Sequence, residues 1–266
     1  LLSLLIFDMT HKSRMMFTKA RYASDGIKAF YLAKSGMNMG MLALSKDGKD
    51  NNYDGLDEDW AKGIKDYQVE DGLVTVIITD ESSKFNINRL VAPNGRIDEP
   101  SLSRFKHLLD ILDIGEESAD RIVLWIKENK KERYSLDDAS ELLNIIPSKD
   151  FRKLEGHITV HSAGLININT VDKTVLASLS PLLTDALINE IITYRKESPF
   201  KKKSELMKIT GMDDLIMLSF TDIIDVRSSG FSIQSQANVG NVSKKLEGFV
   251  KRQGEHVERK IWREVF

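Results

Sequence analysis

Two short stretches with the same pattern, apolar residues alternating with asparagine, stand 81 residues apart: "SKFNINRLV" around Asn86 and "GLININTVDKTVL" around Asn167. Each heads a longer series. After Asn86 come "RIVLWIKEN", "ASELLNIIPSKDF" and "HITVHS"; after Asn167 come "EIITYRKES", "KSELMKITGMDDL" and "IIDVRSS". The offset falls from 81 residues at the asparagines to 64 at the Glu-Leu pairs, Glu141 and Glu205, so loop lengths differ while the units correspond. Self-similarity of this kind is the mark of one supersecondary unit used twice. Each copy reads as strand, two helices, a Glu-Leu helix, a short helix and a closing strand.

What flanks the duplication is of another kind. Proline is absent from Leu1 to Leu44, and Ile27, Phe30, Tyr31, Met37, Met41 and Leu44 recur near the helical period, predicting one buried stripe on a long helix. Such a helix would be roughly 65 Å long at 1.5 Å per residue. Its start, "LLSLLIF", is too short to span a bilayer and reads as the tail of a longer apolar helix, or alternatively as a frayed amphipathic start. "GLVTVIITDES" (72–82) predicts a strand, and after Gly230 "FSIQSQANV", "KKLEGFVKR" and "VERKIWREV" predict an antiparallel meander. Strand material before and after the helical pair is expected to form one sheet with the pair inserted between. The expected organisation is therefore a helix over 1–44, a sheet domain over 45–86 and 226–266, and two helical repeats over 87–162 and 163–225. The fold class is α+β.

Composition narrows function by exclusion. An apolar share of 41% with 29% charged residues describes a globular protein, and a formal charge of −2 supplies no overall field toward nucleic acid or anionic lipid. Without cysteine there is neither a disulfide framework nor a thiolate zinc site, which fits cytosol and periplasm alike. The five histidines are scattered, and no phosphate loop, dinucleotide turn or nucleophile elbow occurs, so no enzymatic chemistry is expected.

The asparagines themselves predict structure. An Asn carbonyl accepts from nearby backbone N–H groups, so Asn86, Asn88, Asn167, Asn169 and Thr170 are expected at two buried strand-to-helix corners. Asn169 or Thr170 would cap a helix starting near Asp172, with Asn88 starting its counterpart. The second copy also resembles the helix-hairpin-helix units of competence-type DNA-binding proteins, which grip a phosphate at a Gly-rich hairpin. Here "LSPLLTDA" has no glycine, while Gly211 and Gly115 are followed by carboxylates that repel a phosphate. No nucleic-acid partner is expected. A membrane-tethered DNA-uptake protein is the alternative reading.

In the acidic segment, "DNNYDG" matches the opening of a calcium loop: Asp50, Asn52 and Asp54 alternate before Gly55. The twelfth position is Ala61 rather than glutamate, leaving Asp57, Glu58 and Asp59 to complete a candidate calcium site. An exposed acidic turn is the plainer reading.

The order of these features resembles one family, the K-type minor pseudopilins of the bacterial type II secretion system. The residues that carry the resemblance are "AFYLAKSGMNMGMLAL", "YDGLDEDWA", "VTVIITDESSKFNINRL", "RIVLWI", "ININT" and the terminal "GFSIQSQANV…GFVKR" strands. It implies a type IV pilin-like helix on an antiparallel sheet, with an inserted domain of two sterile-alpha-motif-like halves. It further implies leader removal by a prepilin peptidase, methylation, a single-pass inner-membrane anchor with the soluble domain in the periplasm, and bound calcium. I- and J-type minor pseudopilins would be partners in a tip complex that starts the pseudopilus, with Ile27, Phe30, Tyr31, Met37 and Met41 packing on the chain's own sheet or on neighbouring helices. A tip pilin of a true type IV pilus is the third class considered.

Overall fold

The computed structural model describes residues 2–265. Leu1 and Phe266, the outer ends of the expected helix and sheet domain, lie outside the described residues. Helix α1 (Leu2–Asp50) runs six residues beyond the expected end at Leu44, into what the sequence suggests is loop. A single turn, α2 (Asp59–Lys62), leads to strands β1 (Ile64–Val69) and β2 (Gly72–Asp80). The meander β7 (Gly230–Val239), β8 (Val242–Gln253) and β9 (His256–Val265) closes the chain. These five strands form one antiparallel sheet in the order β1-β2-β7-β8-β9. Its central pair joins distant sequence: Asp80 lies opposite Phe231 and Gly72 opposite Val239. The expected sheet with an insertion is thus the observed one. β1, "IKDYQV", was not foreseen; largely exposed with little apolar alternation, it carries almost no periodic signal.

The face of α1 that meets the sheet differs from the predicted stripe. Ala29, Ala33, Gly36, Met37, Gly40 and Leu44 are buried, while Ile27 and Tyr31 are 61% and 60% exposed and Phe30 and Met41 only half-buried. The reason is close approach. A Cβ on Gly36 would sit 2.2 Å from Ser235 Oγ and 2.8 Å from Val74 Cγ2, and one on Gly40 would sit 2.9 Å from Ile233 Cγ2. The helix seats on the sheet through small residues, which a search for large apolar side chains passes over. Met37 and Leu44 join Trp60, Val74, Val76, Ile78, Phe231 and Ile233 in one core.

Between β2 and β7 lies the helical pair. Copy one comprises β3 (Phe85–Asn86), α3 (Glu99–Ile111), α4 (Glu117–Asn129), a 3₁₀ segment at Ala139–Asn144, α5 (Ser148–Leu154) and β4 (Ile158–Thr159). Copy two comprises β5 (Ile166–Asn167), α6 (Lys173–Ser178), α7 (Asp185–Glu197), a 3₁₀ segment at Lys203–Lys208, α8 (Asp214–Phe220) and β6 (Ile224–Asp225). In each copy the opening and closing strands pair in parallel, Phe85 with Ile158 and Ile166 with Ile224. The duplication extends to individual bonds. Glu141 Oε1 accepts from the amides of Asp137 and Asp138, and Glu205 Oε2 accepts from those of Lys201 and Lys202, so each Glu caps its 3₁₀ turn beside a buried Leu142 or Leu206. The two copies share a single continuous core from Phe85 to Val226. Arg104 of α3 ties them together, donating to Asp222 and to the carbonyls of Leu179 and Ser219.

The poles of the sheet are distinct. Near its middle α1 passes the β7–β8 turn, where Gly240 faces Asp25 and Gly26 approaches Val242. At its C-terminal end, Gly48 abuts Gly254, and the same pole carries the entry and exit of the helical pair at Asp80 and Gly230. The insertion therefore crowns the end of the molecule opposite the apolar N-terminus.

Candidate functional site

The joint between the crown and the sheet is built from residues far apart in sequence. The asparagine corners come first. Asn86 Oδ1 accepts from Asn88 N at 2.9 Å, and Asn167 Oδ1 accepts from Asn169 N at 2.9 Å. The second asparagine of each pair clamps a distant peptide: Asn88 exchanges bonds with Leu136 N and O, and Asn169 with Phe200 N and O. Asn86, Asn167, Asn169 and Thr170 are buried and Asn88 is half-buried. The expectation that Asn169 or Thr170 caps the next helix is corrected. Asp172 caps α6 through Val175 N at 2.8 Å, and Asp98, not Asn88, caps α3. The asparagine carbonyls are already spent on their own corner and on a long-range clamp.

Asn167 also reaches across the joint. Its Nδ2 donates to Asp54 O at 2.9 Å, Ser228 Oγ at 2.7 Å and Asp80 Oδ2 at 3.2 Å. Asp80, the last residue of β2, is fully enclosed and accepts from Ser228 Oγ at 2.6 Å, Ser82 N at 2.7 Å and the Thr170 hydroxyl. Burial pushes its carboxyl up to about 6, against the pull of the Ser228 and Thr170 hydroxyls.

Next to it lies the acidic cluster. Arg252 of β8 bridges Asp47 at 2.8 Å and Asp54, and Asp54 also accepts from Ser228 N at 2.7 Å. Asn51 Nδ2 donates to Asp47 and Glu58, while Glu58 Oε2 accepts from Gly55 N and Trp60 Nε1. Burial raises Asp54 despite Arg252, and burial pushes Glu58 up to about 7. Oxygens of Asp47, Asp54 and Glu58 lie within 4.8 Å of one another.

Of the residues singled out for calcium, Asp54 and Glu58 face this cluster. Asp50, Asn52, Asp57 and Asp59 are exposed, with Asp59 paired to Lys62 at 2.8 Å and Asp57 accepting from Tyr53 Oη at 3.4 Å. The alternate-residue loop does not form because α1 continues helically through Asp50. The donor chemistry of Asp47, Asp54 and Glu58, hard carboxylate oxygens outnumbering the one guanidinium, does suit a calcium ion. The sequence carries no signal for Asp47, whose segment predicts a loop, or for Arg252, since nothing local ties a strand arginine to a residue 198 positions away.

The hairpins bear on nucleic acid. Gly211 has φ +88°, as a tight turn requires, but the N-terminus of α8 is already occupied by the Asp213 carboxylate, which accepts from Ile216 N at 2.8 Å. Beside Gly115, the Glu117 carboxylate fills the space a phosphate would need. Of the histidines, His157 pairs with Asp172 at 2.8 Å and His161 stacks on Phe249 at 3.7 Å between ring centres.

A long helix seated on an antiparallel sheet, interrupted by a duplicated helical crown, is a pilin-like α+β fold. The family model for type II secretion system protein K matches residues 166–222, the second copy from its asparagine corner to the end of α8. A type II secretion system protein K of Aeromonas hydrophila is 23% identical over 290 aligned positions, covering 90% of this chain and 85% of that protein. Among solved structures, the GspK–GspI–GspJ complex of the enterotoxigenic Escherichia coli type 2 secretion system contains a similar fold. The match has a TM-score of 0.74 at 18% identity, over 93% of this chain and 99% of the other. In the sequence of its second copy and in its overall fold the chain is thus similar to type II secretion system protein K. Among the described residues no helix is long and apolar enough to cross a membrane.

Proposed function

We propose that the chain is a non-enzymatic minor pseudopilin that forms a tip complex with I- and J-type minor pseudopilins and starts assembly of the secretion pseudopilus. The observation that carries this reading is the position of the helical pair. It crowns the pole of the sheet opposite the apolar start of α1, where a further subunit in the same orientation would have to stack. A subunit that accepts neighbours below but not above belongs at an end. The apolar residues at the start of α1 would continue from an inner-membrane anchor, whose N-terminus is methylated after a prepilin peptidase removes a short leader, leaving the crown in the periplasm. Calcium is part of the proposal, with Asp47, Asp54 and Glu58 as the residues that would hold it and a stiffened joint as its effect.

Coexpression with the I- and J-type pseudopilins of the same secretion system, followed by size exclusion with mass measurement, tests the assembly. A stoichiometric three-chain complex is the expected result. If the chain associates with neither partner, or if filaments incorporate it along their length, the tip reading fails. For calcium, thermal unfolding in millimolar calcium against chelator should show a rise in Tm that Asp54→Asn removes.

A further inference from the structure

Comparison of the two copies exposes one position where the core is broken. "RIVLWIKEN" aligned on "EIITYRKES" sets Ile126 against Arg195 and Lys127 against Lys196. Ile126 is completely buried in the shared core. At the equivalent place copy two carries a half-buried arginine whose hydrogen bonds go to two backbone oxygens: Nη1 to Ile168 O and Nη2 to Val171 O, both at 2.6 Å. Among the described residues neither Arg195 nor Lys196 forms an ion pair. A guanidinium has five N–H donors, and replacing a core isoleucine with one costs desolvation that a counter-ion would normally offset. Burial pulls this arginine down to about 10, and the one carboxylate acting the other way is Asp172, which is engaged with His157. The group stays cationic at neutral pH.

Arg195 opens onto a cleft of about 250 Å³ at the seam between copy two and the segment that follows α1. Lys196, Leu56, Asp57, Asn169 and Pro199 share its walls. The amide of Asn169 is committed to Phe200 and Asp57 accepts from Tyr53 Oη, so the charges of the cleft without an ion-pair partner are the two cations, whose positive charge the backbone oxygens around Arg195 do not neutralise. Its volume suits one side chain with an apolar stem, and its charge suits a carboxylate.

We infer that this cleft is a docking socket for an acidic side chain presented by a partner protein, with Arg195 as the anchoring cation and Lys196 as the second. A planar guanidinium binds a carboxylate through two parallel bonds, which gives direction as well as affinity. Leu56 and Pro199 would hold the methylene stem. Asp57 stands at the rim as the internal competitor. The socket holds whether or not the chain sits at a tip, since its ligand is defined by chemistry alone.

The test is an NMR titration of the ¹⁵N-labelled chain with the tripeptide acetyl-Gly-Glu-Gly-amide, its Gln counterpart and inorganic phosphate. The expected result is saturable shifts at the amides of Leu56, Lys196 and Arg195 with the Glu peptide, and at least tenfold weaker binding of the Gln peptide. Asp57→Asn should tighten binding. Arg195→Ile, a residue the other copy already buries at this place, should abolish it. Should that variant not fold, Lys196→Gln at an exposed position decides, with several-fold loss supporting the socket and no loss overturning it. Equal binding of the Glu and Gln peptides, or phosphate binding as well as the Glu peptide, overturns the assignment to a protein carboxylate.

Discussion

Replacing Arg252 by methionine isolates what holds the joint together. Methionine keeps most of the aliphatic stem but removes the guanidinium, which lies over the Phe231 ring and bridges Asp47 and Asp54. Asp54 is wholly buried, and burial has already raised its carboxyl despite Arg252, so loss of that partner raises it further. Removing one member of a buried pair costs about 3–5 kcal/mol, because the remaining charge keeps its desolvation and loses its partner. In a domain of this size that is a Tm loss of roughly 6–20 °C. The cost must depend on pH with a definite sign. A carboxyl whose folded pKa lies above its unfolded value stabilises below the unfolded pKa and loses that stability as pH rises through the folded one. The deficit of the variant should therefore be smaller at pH 5 than at pH 8. Urea unfolding in chelator, followed by circular dichroism and by the fluorescence of Trp60, which donates to Glu58 inside the cluster, measures both. Asp54→Asn combined with Arg252→Met should cost less than the sum of the single changes, since the two side chains are in direct contact. A loss below about 1 kcal/mol, or the same loss at both pH values, would refute the view that this pair carries the joint.

Three further outcomes follow from the same geometry. Asp80 should titrate by ¹³C carboxyl NMR near pH 6, and because that lies above its ordinary value of 3.8, stability should fall as pH rises between these values by up to about 3 kcal/mol. A titration near 4 would show that Asp80 is not held as described. Gly36→Ala, which drives a Cβ into Ser235 and Val74, should cost about 1–3 kcal/mol in chemical unfolding despite alanine's better helix propensity, and a neutral result would mean the helix does not seat there. Asn169→Ala orphans the buried amide and carbonyl of Phe200 and should cost about 1–3 kcal/mol, more than Asn88→Ala at the half-buried equivalent clamp; the reverse order would refute the correspondence.

Much of the plan was legible in the chain itself. The alternating asparagines, the Glu-Leu pairs and the strand meander each encode their geometry within a few residues, through side-chain-to-backbone bonds or a period of two. The duplication, the sheet split by an insertion and the long helix could therefore be read directly. The functional joint was legible only in part. Asp54 and Asn167 stood out, but Asp47, Asp80 and Arg252 did not, because each acquires its role from a partner brought by strand register and helix length.

Tertiary structure alone decided the rest. Which face of α1 is buried depends on how closely two backbones approach, and that favoured Gly36 and Gly40 over Ile27 and Tyr31. Asp54 turns inward to Arg252, which β8 delivers beneath it, while the calcium-loop spacing does not form because α1 continues through Asp50. The local sequence determined the elements and their repetition, since hydrogen bonds and periodicity act over a few residues. Only packing decided which charges meet, since burial and register act between residues that the chain keeps far apart.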